Sequence, residues 1–166
     1  MTTIFLQKIV SGGQTGVDRA ALDFASQIGL ESGGWCPKGR LALDGRIPDK
    51  YPLKETQSSS YPQRTQMNIQ DSDGTLIISR GVLHGGTALT HRLANKLGKP
   101  CLILDLNYIA MKQDAANHML LTWLAKHTVN TLNIAGPREN DSGGVYDGTI
   151  NFLMDFWLKA KPSCKV

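Results

Sequence analysis

The chain has 166 residues, 41% of them hydrophobic and 19% charged, a balance that fits a globular protein and excludes a disordered or fibrous one. Its three cysteines, Cys36, Cys101 and Cys164, are far apart and form no Cys-x-x-Cys pair, so neither a disulfide framework nor a zinc site is supported, and reduced thiols in a cytoplasmic setting are expected. The formal net charge of +4 favours anionic ligands, but the basic residues form no run with interleaved aromatics and no apolar stretch approaches membrane-spanning length, so neither nucleic acid nor a membrane is an expected partner.

Lys8-Ile9-Val10 reads as a short buried strand, rich in β-branched residues. It runs into Ser11-Gly12-Gly13-Gln14-Thr15-Gly16 and then a helix whose apolar stripe is Val17, Ala21, Phe24 and Ile28 and which Gly29 stops. A strand, a glycine turn and a helix start together make an anion site, because free N–H groups and the helix dipole point the same way. Two familiar phosphate loops do not fit. No Gly-Lys-Ser/Thr ends the turn, and Ser11 stands where a dinucleotide fingerprint needs its first glycine. The second strand is expected near Gly33 to Cys36, and it leads into basic Pro37-Lys38-Gly39-Arg40 rather than an acidic ribose ligand. Asp18 can cap its own helix or touch a ligand, and capping is the simpler role. Cys36 reads as a buried free thiol near a strand end.

From Pro37 to about Asn68 the sequence shows no sustained periodicity and carries Pro37, Pro48, Pro52 and Pro62. So long an irregular stretch is expected to be a lid or cleft wall, with Lys38, Arg40, Arg46, Lys50, Lys54 and Arg64 as its cations. Gly74 to Ser79 is a clear buried strand; Asp71 and Asp73 precede it, on the wrong side for a catalytic pair. It ends in Arg80, and Leu83-His84-Gly85-Gly86-Thr87 opens a second glycine-rich helix start, with Ala88, Leu89, Leu93, Ala94 and Leu97 as an apolar face and Gly98-Lys99-Pro100 as the stop. Thr87 and Thr90 can offer hydroxyls to an oxyanion, Thr87 can equally cap, and His84 can serve as acid, base or hydrogen-bond donor. Cys101 to Asp105 is the next strand, Gln113 to His127 a helix, Thr131 to Ala135 a strand, and Gly136-Pro137-Arg138-Glu139 a third turn before a last helix starting near Gly144. The tail from Lys159 to Val166 reads as a solvated end.

Strands alternating with helices predict an α/β, Rossmann-like, mostly parallel sheet with helices on both faces, as one ligand-binding domain over 1–166. Ligands of such sheets bind beyond the carboxyl ends of the strands. The turns after Val10, Ile78 and Ala135 all belong to that edge, and with Arg19, Arg80 and Arg138 they predict one anion-binding cleft; arginine's planar fork suits phosphate. No nucleophile–base–orienter set is visible, which argues for binding rather than catalysis.

Ser11 to Asp23, together with Trp35-Cys36-Pro37-Lys38-Gly39, Tyr51 to Thr56, Arg64-Thr65, Gly85-Gly86-Thr87 and Ala135 to Glu139, resembles the molybdenum carrier proteins, within the wider Rossmann-like group of LOG and lysine-decarboxylase-like proteins. The resemblance covers nearly the whole chain. It implies a homo-oligomer that binds the molybdenum cofactor (molybdopterin, a pterin dithiolene with a terminal phosphate and an oxidised metal head) as cargo without turnover. The protein would protect it and pass it between a cofactor-biosynthesis protein and a molybdoenzyme. The dithiolene holds the metal, so no protein metal ligand is implied. The residues expected to hold the cofactor are Gly12, Gly13, Gln14, Thr15, Gly16, Arg19, Lys38, Arg80, His84, Gly85, Gly86, Thr87, Thr90 and Arg138. The alternative is a nucleotide sensor or a LOG-type nucleoside-monophosphate hydrolase. LOG proteins use Pro-Gly-Gly-x-Gly-Thr-x-x-Glu, whereas His84 to His91 here contains no glutamate.

Overall fold

A computed structural model describes residues 4–160 of the chain. Cys164 and the end of the tail lie outside the described residues. The central sheet is built from β1 (Lys8–Val10), β2 (Glu31–Gly33), β7 (Gly74–Ser79), β8 (Cys101–Asp105) and β9 (Thr131–Ala135), in the order β2-β1-β9-β7-β8. Every neighbouring pair is parallel. The last strand in sequence therefore sits in the middle of the sheet, with Ile9 beside Leu132 on one flank and Leu76 beside Ile134 on the other. Counted from β9 through β1, β2, β7 and β8, the order is that of a doubly wound sheet, about 3-2-1-4-5 in the usual numbering. The reversal of strand order falls between β9 and β7, and their carboxyl ends mark the expected crevice.

Strand pleating divides the residues between two faces. Ile9, Leu76, Ile78, Leu104, Leu132 and Ile134 join α1 (Val17–Ile28), α5 (Gln113–Lys126) and α6 (Val145–Ala160) in the main core, filled by Phe24, Leu120, Phe152 and Phe156. Their neighbours Val10, Thr75, Ile77 and Asn133 turn toward α2 (Tyr61–Gln70) and α3 (Gly85–Lys96), which pack on each other. Among the described residues no helix is long and apolar enough to cross a membrane.

Two expectations need correction, and one further element appears. The second sheet strand is Glu31–Gly33; Gly34 takes φ +131° and turns the chain aside, so that β3 (Trp35–Cys36) leaves the sheet and pairs with β6 (Lys54–Glu55). The stretch from 37 to 68 is not irregular throughout. It contains a small hairpin, β4 (Leu41–Ala42) with β5 (Gly45–Arg46), and α2. That helix buries only Asn68 and Ile69, so it has no apolar stripe to betray it, and Pro62 opens it, where a missing N–H costs nothing. A short α4 (Leu106–Met111) follows β8 directly because the Asp105 carboxylate caps it through Asn107 N and Tyr108 N.

The excursion from 37 to 56 has its own small core of Leu22, Cys36, Ile47 and Tyr51. Arg40 organises it. Its buried guanidinium donates to the carbonyls of Ile47, Leu53, Pro48 and Tyr51 at 2.9–3.1 Å. This cation is therefore part of the scaffold rather than of a cleft wall.

Candidate binding cleft

The turns after β1, β7 and β9 meet around a cavity of about 730 Å³. Gly12, Gln14 and Asp18 form one wall, and Arg80, His84 and the start of α3 form the opposite one. Asn133, Ala135 to Arg138 and Asn140 make the floor and one end, and α2 closes the side with Tyr61, Arg64, Thr65 and Asn68. The volume suits a small organic ligand.

The two glycine turns are chemically unlike, and this asymmetry defines the site. In the first turn three amides are already used. Gln14 N donates to Asp18 Oδ2 at 3.2 Å, Thr15 N to Gln14 Oε1 at 3.0 Å, and Val17 N to the Pro137 carbonyl at 3.3 Å. Gly16 permits that last contact. It sits at φ +81°, and a Cβ there would lie 2.6 Å from both Pro137 O and Glu139 N. The start of α1 is thus sealed against the turn that follows β9 at Val17.

The second turn is open. Ala88 N bonds the His84 carbonyl, but among the described residues no acceptor takes the N–H of Gly85, Gly86 or Thr87. No acidic residue lies in this first turn of α3, and no side chain caps it. Free amides at the positive end of a helix dipole form an anion cradle. Asp105 braces the loop from behind, accepting from Gly81 N at 2.6 Å and Ser79 Oγ at 3.4 Å. Burial pushes its carboxyl up, but the amides of Gly81, Asn107 and Tyr108 outweigh this and hold it below the usual carboxylate value.

Cations surround the cradle. Arg80, Arg92 and Arg138 line the cavity and form no ion pair among the described residues; Arg80 Nη1 is steadied by the Gly143 carbonyl at 2.7 Å. Arg64 reaches in from α2, held through Nη1 by the Gly12 carbonyl at 2.9 Å and by Asp18 Oδ2 at 3.4 Å. Asp18 is buried, and burial raises its pKa against the pull of Arg64 and the Gln14 amide.

The residues expected to hold a ligand divide accordingly. Gly12, Gln14, Arg80, His84, Gly85, Gly86, Thr87 and Arg138 come together on the cavity. Thr90 also lines it, but its hydroxyl is spent on the Gly86 carbonyl at 2.9 Å. Gly13 faces the excursion, where a Cβ would press on Leu53 and Ile47. Lys38 is exposed outside the cavity, its amide bonded to the Ser58 carbonyl. Thr15, Gly16 and Arg19 lie behind the first turn, on a separate cavity of about 260 Å³ with Asp23, Tyr51, Glu139 and Tyr146. There Arg19 is committed to Asp44 at 2.9 Å and to the Gly13 carbonyl at 2.8 Å, so a residue one turn into α1 points away from the cleft. Arg64, expected as a cleft-wall cation, and Asp18, for which capping was the simpler expectation, both line the cavity, whereas Asn133, Arg92 and Tyr61 belong to it without having been expected. Only Asn133 carries a plain signal, a polar residue in the middle of an apolar strand.

Comparison with known proteins agrees with this architecture. The model of the circularly permutated YpsA SLOG family matches residues 9–157. Of the curated proteins, none matches. Among solved structures, a 1.45 Å crystal structure of a protein from Syntrophus aciditrophicus SB, named "Putative molybdenum carrier protein", is 48% identical, covers 92% of this chain and 96% of its own, and superposes with a TM-score of 0.88.

Proposed function

Because the chain belongs to the circularly permutated YpsA SLOG family, and because a 48% identical relative is named as a molybdenum carrier, we propose that it binds the molybdenum cofactor in the cleft between its two glycine turns and carries it without turnover. The observation that carries this reading is the uncapped start of α3. Three amides, the Thr87 hydroxyl and Arg80, Arg92 and Arg138 share one cavity, the amides without an acceptor and the arginines without an ion pair among the described residues. A phosphate end of the cofactor fits the Gly85–Thr87 cradle, and the oxidised metal head fits the guanidinium groups, which bind oxyanions through two parallel bonds. The only carboxylate lining the cavity among the described residues, Asp18, is already bonded to Gln14 N and Arg64, and this supports holding over acid–base work. The dithiolene supplies the metal's ligands, so the protein's contribution is charge and shape.

The test is the affinity of anaerobically isolated molybdenum cofactor for the protein and for Thr87→Val, Arg64→Ala and Arg19→Ala. The first two substitutions should weaken binding about ten-fold or more, the worth of one charge-assisted hydrogen bond. Arg19→Ala should not change it, since Arg19 is bound to Asp44 on the far side of the first turn. No binding of the cofactor, with stabilisation by nucleoside monophosphates instead, would give the cleft to a nucleotide sensor. Release of free base from those nucleotides would make it a hydrolase.

A further inference from the structure

Resting on the reading of the cleft as an anion-binding carrier site, we propose that Asp18 is its specificity residue. Its carboxylate occupies the anion position of the first glycine turn, so the cleft takes a ligand whose phosphate lies at one end, on the second turn, and rejects a diphosphate or dinucleotide that would lay a second phosphate on the first.

The two turns have the same grammar: a strand, paired glycines, a threonine and a helix start. Such a start draws negative charge whatever its source. At the first turn that charge is internal. Asp18 stands in the opening turn of α1, accepts the Gln14 amide at 3.2 Å, and lies 3.4 Å from Arg64 Nη1. An amide and a guanidinium on one oxygen is the arrangement a bound phosphate would receive. Arg64 is fixed in turn by the Gly12 carbonyl at 2.9 Å, and its guanidinium lies so close to Gly12 that a Cβ there would overlap it. The pair is nearly dry, with side-chain exposures of 13% for Arg64 and 8% for Asp18, so a phosphate arriving here would meet a desolvated carboxylate at close range. At the second turn the equivalent stretch, Gly85 to Ala88, holds no acidic residue, and its amides are free. One turn is thus closed by its own charge and the other is left for the ligand. In this arrangement Asp18 also positions Arg64, since it holds one nitrogen of the fork at the cavity wall.

The reading makes an unusual demand: removal of an acidic group should create a phosphate site. The experiment uses inorganic phosphate and pyrophosphate with the full chain, by titration calorimetry and by thermal unfolding in phosphate-free and phosphate-containing buffer. Wild type should bind one phosphate per chain. Asp18→Ala leaves the Gln14 amide without a partner and Arg64 without its counter-charge, so it should unfold at lower temperature in phosphate-free buffer. It should then recover in phosphate by a larger upward shift than wild type shows, and bind pyrophosphate at least about ten-fold tighter. Should the alanine variant fail to fold, Asp18→Asn keeps an oxygen for the Gln14 amide but drops the charge, and it too should bind phosphate more tightly. Phosphate and pyrophosphate affinities no greater than wild type in the folded variants overturn the proposal. The carrier reading fails separately. If wild type does not bind the cofactor while the Asp18 variants still gain phosphate, the specificity role stands and the cargo is wrong.

Discussion

Gly86→Ala should raise stability and lower ligand affinity at once. Gly86 is the second residue of α3, its φ is not in the left-handed region, and a Cβ there would meet no protein atom within 4 Å. Alanine is therefore compatible with the native backbone and reduces the freedom of the unfolded chain, a gain of about 0.5–1 kcal/mol. For a protein of this size that raises Tm by about 1–4 °C. The space that admits the methyl is the cavity itself, where Gly86 lines the cradle. A methyl there holds an oxyanion off the neighbouring amides. Loss of one charge-assisted hydrogen bond, about 1.5–3 kcal/mol, weakens binding by roughly ten- to a hundred-fold. Thermal unfolding measures the first effect, and equilibrium binding of isolated molybdenum cofactor measures the second. Gly85→Ala is the control: with φ +54° it adds strain and should lower Tm as well. A Gly86→Ala protein that is more stable and binds the cofactor as tightly as wild type would refute the placement of the anion at α3.

Arg40→Ala removes four hydrogen bonds in the excursion and leaves the Ile47 and Leu53 carbonyls without a donor, and at about 1 kcal/mol each it should cost about 4 kcal/mol, with hydrogen exchange rising over residues 45–54 while β7 and β9 stay protected. Arg40→Lys should recover only part of this, because a single ammonium cannot span carbonyls on several sides. Asp18 gives a pH signature: its folded pKa is raised, so the folded state binds the proton more tightly than the unfolded chain does, and the stability this confers is present at low pH and lost as pH rises from the ordinary carboxylate value through the folded one. Chemical denaturation from pH 4 upward should show that fall in wild type relative to Asp18→Asn, whereas parallel curves would contradict a buried, raised carboxyl.

The order of strands and helices was legible wherever burial imposes a period. β7 is buried at every position, and α1 shows its stripe of Val17, Ala21 and Phe24 as expected. α2 escaped notice because it is held by polar contacts. Asn68 accepts from Trp35 N and donates to Trp35 O, a pattern that leaves no mark in hydrophobicity. The site was half legible for a related reason. Glycine turns announce where a backbone can approach a ligand, but whether their amides are free depends on partners far along the chain. Pro137 blocks the first turn from a distance of 120 residues in sequence, and nothing near Val17 hints at it. Side-chain direction was equally hidden. Arg19 and Asp18 are adjacent on α1, yet Asp18 faces the cleft and Arg19 the opposite cavity.

The permuted strand order gives these distant contacts a common cause. β9 arrives last in the chain but lies between β1 and β7, so it brings the turn from Gly136 to Asn140 between the two glycine turns. That turn does different things on its two sides. Toward α1, Pro137 O takes the Val17 amide, and Thr15 Oγ1 accepts from Glu139 N at 3.3 Å, which closes the first turn. Toward α3 it offers Gly136, Pro137, Arg138 and Asn140 to the cavity and accepts nothing from Gly85, Gly86 or Thr87. Two turns of nearly the same sequence thus become a wall and a cradle. The difference comes from the strand inserted between them together with the carboxylate that Asp18 sets against the first turn.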